Sequence, residues 1–124
     1  MKKFLKYGLV LFLFFLSSFV SVDEVVSAIK NGNASQLSKY FDNTVEITVT
    51  DKSNTYSKSQ AELVLKDFFN NNIVKNFEIV HKGDNTGAQF IIGTLNTKNG
   101  EYRTTIYMKK NGDRQLLQEL RFEK

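Results

Sequence analysis

Among the 124 residues there is a single histidine, His81, which makes it the first candidate for proton transfer. It stands on the side of a strand over 74–82 that also carries Phe77 and Ile79, so alternation turns it inward close to the strand end. A lone histidine there is more often a packed, hydrogen-bonded residue than a base. Asp67 is the carboxylate candidate, but it lies off the Ala61, Val64, Leu65 and Phe68 stripe of its helix and beside Lys66, where a solvated charge is the simpler reading. Tyr102 and Tyr107 sit on a strand, where a tyrosine normally packs its ring and leaves its hydroxyl wet. No catalytic residue is assigned on this basis, and any acid–base chemistry falls to His81 with Tyr102.

Metal and thiol chemistry have still less to work with. One histidine, no cysteine and scattered carboxylates give no pair of ligands at a recognisable spacing. The stretch "GDNTG" at 83–87 lacks the alternating ligands and terminal glutamate of a calcium loop. No metal and no cofactor are therefore expected. Without cysteine, disulfides and the lipoprotein route of export are closed as well. The sequon "NAS" at 33–35 is better explained as a helix cap.

The N-terminus, "MKKFLKYGLVLFLFFLSSFVS", places Lys2, Lys3 and Lys6 before an apolar run from Tyr7 to Leu16 and then small polar residues, the layout of a signal peptide over 1–21. A membrane span needs about 20 apolar residues, so no stable anchor is expected and the product is periplasmic or secreted. Ser18 and Ser21 both serve as exits, which leaves the cleavage site open between 18 and 22. Removing the three lysines from 17 basic residues leaves 14 against 13 acidic ones, a net of +1. The remaining lysines are spread along turns and strand exteriors, so nucleic acid is excluded as a partner.

What remains, residues 22–124, is one domain with a sizeable core, since 41% of the chain is hydrophobic and 13% aromatic. Val22, Val25, Val26 and Ile29 share a helical face that Lys30-Asn31-Gly32 closes. Asn33 and Gln36 have capping-box spacing for a second short helix with Leu37, Tyr40 and Phe41 on its apolar side. Val45, Ile47 and Val49 alternate with Glu46 and Thr48 in a strand, which turns at 51–54 into a brief strand ending at Tyr56. Ser57 and Gln60 open the main amphipathic helix, which ends at Asn70-Asn71-Asn72. Four strands, about 74–82, 88–97, 101–109 and 114–123, follow on short connections that make them antiparallel neighbours.

This order, ααββαββββ, with "AIKNGNASQLSKYF", "YSKSQAELVLKDFF" and the terminal "QLLQELRFEK", resembles the nuclear-transport-factor-2-like (cystatin-like) superfamily over residues 22–124. It is closer still to an uncharacterised domain-of-unknown-function family of small secreted bacterial proteins. The resemblance implies an α+β fold, a cone-shaped curved antiparallel sheet packed on helices, with a pocket and frequent homodimers. It implies no activity. Steroid-isomerase-like members pair a carboxylate base with an acidic hydrogen-bond donor, and scytalone-dehydratase-like members use His with Asp; here only His81 and Tyr102 stand for such groups.

Register decides what faces the pocket. If Asn111-Gly112 is a plain turn with Lys110 opposite Asp113, Glu119 and Arg121 join the face of Tyr102, Thr104, Ile106 and Met108. If Lys110-Asn111-Gly112 is a bulged loop with Lys109 opposite Asp113 and Met108 beside Arg114, that face gains Leu116, Gln118, Leu120 and Phe122. Burying large apolar groups at about 1.5–3 kcal/mol each favours the second over burying charges. The expected protein is a non-catalytic binding or scaffolding module. Its small, largely apolar pocket is lined by His81, Tyr102, Thr104, Ile106, Met108 and Gln118, with a small apolar ligand or a partner protein as occupant. An isomerase or dehydratase using His81 with Tyr102 is the alternative.

Overall fold

The computed structural model describes residues 22–124, and the expected signal peptide over 1–21 lies outside the described residues. Helix α1 spans residues 22–31 and buries Val25, Ala28 and Ile29 completely. It ends at Gly32, whose φ of +59° costs little without a Cβ and lets Gly32 N–H and Asn33 N–H donate to the Ile29 and Ala28 carbonyls. Asn33 then caps α2 (Ala34–Ser38), its side chain accepting from Gln36 N–H at 3.0 Å. This helix is shorter than its apolar pattern suggests. Phe41 belongs to β1 (Phe41–Val49), because Leu117 N–H donates to the Tyr40 carbonyl at 2.6 Å and the sheet draws the chain into extended form.

Strand β2 (Lys52–Ser57) returns along β1, and Ser57 with Gln60 forms both halves of the capping box on α3 (Lys58–Asn71). Ala61, Leu65, Phe68 and Phe69 are the buried stripe of α3. Strands β3 (Val74–Asn85), β4 (Ala88–Thr97), β5 (Gly100–Asn111) and β6 (Arg114–Glu123) follow as successive antiparallel neighbours. The sheet is six-stranded, unclosed, and ordered β2-β1-β6-β5-β4-β3. One pairing departs from the antiparallel expectation. β1 and β6 run parallel, which is allowed because α3 and four strands separate them along the chain.

The β5–β6 hairpin takes neither of the two simple registers. Its closing pair is Asn111 opposite Arg114, so the two-residue loop is Gly112-Asp113, with Gly112 at φ +66° as the first residue of such a turn requires. Met108 faces Leu117, whereas Tyr107 faces Glu119, which leaves Gln118 as an extra residue in mid-strand. The bulge therefore sits at Gln118 and not in the turn. Leu117, Leu120 and Phe122 all point inward and are fully buried; Leu116, expected inside, points outward and is half-buried. Glu119, Arg121 and Glu123 line the outer face, with Arg121 3.7 Å from Glu119 and 3.5 Å from Glu123.

A second bulge shapes the edge strand. Ile79 faces Gly93 and His81 faces Ile92, so Val80 is unopposed and 71% exposed. Inward positions change parity there, from Phe77 before the bulge to Lys82 and Asp84 after it. Among the described residues no helix is long and apolar enough to cross a membrane.

Candidate functional site

The concave centre of the sheet is occupied by its own side chains. Tyr102, Thr104, Ile106 and Met108 point inward as alternation requires, and each is at most 5% exposed. Phe122 stacks on Phe68 with ring centroids 4.3 Å apart, and Tyr102 meets Phe68 edge-on at 5.2 Å. The Tyr102 hydroxyl donates to Asn72 Oδ1 at 2.9 Å, and the Asn72 amide donates to the Phe68 carbonyl at 3.0 Å, tying β5 to the end of α3. Thr104 donates to the Tyr102 carbonyl at 3.3 Å. Gln118, at the bulge, is half-buried on the outer side and donates to Asp42 Oδ2 at 2.8 Å. That bond, joined by one from the Asn43 N–H, holds the Asp42 carboxyl below the usual aspartate range.

Tyr102→Phe is expected to cost about 1 kcal/mol, the net worth of one hydrogen bond, because Asn72 keeps its bond to Phe68. Urea denaturation measures it; a cost above 3 kcal/mol would show that the hydroxyl carries more than this single contact.

His81 is exposed and on the outer face, opposite Ile92, with its ring 5.9 Å from that of Phe90. The inward direction expected for it fails because the Val80 bulge shifts the alternation by one residue. His81 and Tyr102 therefore lie on opposite faces of the sheet. Asp67 is exposed on α3, and Tyr107 faces outward opposite Glu119.

The concave face opens only beyond its last fully buried cross-strand pair, Met108 with Leu117. A cavity of about 410 Å³ begins there, walled by β3, β4, the β5–β6 hairpin and the start of α1. Gln89 and Ile91 come from β4, Lys82 and Asp84 from β3, Lys110, Asp113 and Gln115 from the hairpin, and Val22 and Asp23 from α1. Each strand position follows from pairing: Asp84 faces Gln89, Gln89 faces inward Met108, and Lys110 faces Gln115.

This wall is of mixed chemistry, with Val22, Phe90 and Ile91 beside its charged and amide side chains. Gln89 Oε1 and Gln115 Oε1 are buried without a hydrogen-bond partner among the described residues. A buried carbonyl with no donor forfeits its hydration, so two such atoms on one wall mark a place that wants donors. Lys82, Lys110, Asp23, Asp84 and Asp113 make no ion pair within 4 Å among the described residues, where the pairs are Lys66 with Glu62 and Arg121 with Glu119 and Glu123. No group of three or more acidic or histidine residues among them is arranged to hold a metal ion.

Residues 22–123 match a family described as a domain of unknown function (DUF4783). The chain belongs to the DUF4783 family. Crystal structures of DUF4783 family proteins from Bacteroides ovatus and Bacteroides uniformis are 33% and 31% identical to it. Each match covers 82% of this chain, with 92% and 94% of the other chain and a TM-score of 0.79 in both cases. An NTF-2 like protein of unknown function from Silicibacter pomeroyi shares the fold at 8% identity and TM-score 0.63, covering 88% of this chain and 94% of its own. The α+β fold, a curved, unclosed sheet with helices, is thereby established, and NTF2-like proteins share it. A comparison with curated proteins finds no match.

In this DUF4783 chain none of the six residues expected to line a pocket contributes to the cavity wall. Four fill the core, Gln118 braces the bulge, and His81 faces outward. Part of this wall is within reach of the sequence: once Met108 is inward, Lys110 two residues later is inward too. Gln89, Lys82 and Gln115 needed the pairing across strands and the two bulges, which no local pattern announces.

Proposed function

We propose that this DUF4783 protein is an exported, non-catalytic binding module whose site is the cavity at the open end of the cone. The observation that carries this reading is the pair of partnerless buried carbonyls, Gln89 Oε1 and Gln115 Oε1, on one wall of about 410 Å³. The rest of the concave face is packed with Tyr102, Ile106, Met108 and Phe122, which leaves no room for an apolar ligand at its centre. An occupant that brings hydrogen-bond donors to these two carbonyls, beside apolar surface from Val22 and Ile91, fits this wall.

An isomerase or dehydratase built on His81 and Tyr102 would need both groups at one substrate carbon. The sheet lies between them, and the Tyr102 hydroxyl is engaged with Asn72. Export rests on the three lysines, the short apolar run and the small exit residues before Val22.

Two measurements test the reading. N-terminal mass spectrometry of the exported protein should find a cut between residues 18 and 22; an intact Met1 in a membrane fraction contradicts export. Small-molecule extract from the source cells, added to the isotope-labelled protein, should move the amide resonances of Gln89, Ile91, Lys110 and Gln115 and spare Tyr102 and Thr104. Shifts confined to another region would put the site elsewhere.

A further inference from the structure

The wall of the cavity has an order to it. Gln89 stands directly across from Asp84 on the β3–β4 ladder, and Gln115 directly across from Lys110 on the β5–β6 hairpin. Each partnerless carbonyl thus has a charged residue on the strand facing it, Asp84 opposite Gln89 and Lys110 opposite Gln115, while Lys82, Asp113 and Asp23 stand elsewhere on the same wall. A carbonyl beside a carboxylate is an acceptor pair for an ammonium group. A carbonyl beside a lysine suits a group that offers an N–H next to an anion. The C-terminal residue of a peptide is such a group, its amide N–H and its carboxylate sharing one Cα.

Resting on the cavity reading above, we propose that the site binds short peptides with both termini free, a dipeptide being the smallest that engages both ends. The N-terminal ammonium lies between Gln89 and Asp84, the peptide N–H donates to Gln115 Oε1, and the carboxylate meets Lys110. Dimensions agree. β4 and β6 are separated by β5, so their backbones are roughly 9–10 Å apart, and two extended residues span about 7 Å. The glutamine side chains close the difference. A single amino acid is too short to reach both. A sugar is disfavoured because Phe90, the one aromatic on the described wall, has its ring against Gly83 and not free for stacking.

The exported protein is titrated with L-alanyl-L-alanine at millimolar concentrations, followed by calorimetry and by the amide resonances of Gln89 and Gln115. Saturable binding is expected, weakened on the order of tenfold when the N-terminus is acetylated or the C-terminus amidated. Gln89→Leu and Lys110→Gln should each lose about tenfold for the free dipeptide. Lys110→Gln should leave affinity for the C-amidated dipeptide unchanged, a selectivity that mere misfolding cannot produce. Equal binding of free and doubly blocked dipeptide overturns the proposal, as does glucose moving these resonances where the dipeptide does not. If cell extract shifts Gln89 and Gln115 but the dipeptide fails, the peptide class falls and the cavity reading stands; if neither acts, both fall.

Discussion

Phe122→Ala is expected to lower the free energy of unfolding by about 3–5 kcal/mol and the midpoint of thermal unfolding by on the order of 10–20 °C. Phe122 is fully buried, stacks on Phe68 at 4.3 Å and meets Phe69 edge-on at 6.2 Å, so its removal opens a hole between the sheet and α3. That contact also spans the two layers of the domain. Both flanking residues, Arg121 and Glu123, point outward, and Glu123→Ala should stay within about 0.5 kcal/mol because exposed ion pairs contribute little. Urea denaturation of the pair measures the contrast. Similar losses in both would mean that β6 does not bury alternate residues at its end.

The second result expected concerns the bulge. In an uninterrupted strand Leu117 and Leu120, three residues apart, face opposite sides, so only one of them can be core. Both are fully buried here, facing Met108 and Ile106, because Gln118 is the extra residue between them. Leu117→Ala and Leu120→Ala should therefore each cost about 2–5 kcal/mol, while Glu119→Ala stays within about 0.5 kcal/mol. Leu116→Ala, on the half-buried outer side, should fall well below both. A large loss at Leu116 with a small one at Leu117 would place the irregularity in the turn, and a costly Glu119→Ala with a neutral Leu120→Ala would restore the plain register.

These leucines explain why the β6 register was hard to choose from sequence. The Lys110-Asn111-Gly112 turn admits two simple registers, and each leaves one of Leu117 and Leu120 outside. Burying both gains about 1.5–3 kcal/mol for the second leucine. The bulge that permits it leaves Gln118 unopposed, and its side chain is then held by Asp42 of β1. Asp42 is 76 residues away in sequence, so no local pattern contains it.

Several features were determined by the sequence alone, because their physics is local. The Ser57 and Gln60 cap on α3, the Gly32 stop after α1, the order of helices and strands, and the inward set Tyr102, Thr104, Ile106 and Met108 each depend on side-chain periodicity or on one turn of chain. Tertiary structure alone decided the parallel pairing of β1 with β6, the bulges at Val80 and Gln118, the outward turn of His81 and the meeting of Gln89 with Gln115 on one wall. The physical reason is the two-residue period of a strand: one unpaired residue reverses every side chain beyond it, and whether that residue is tolerated depends on burial against strands and helices distant in the chain.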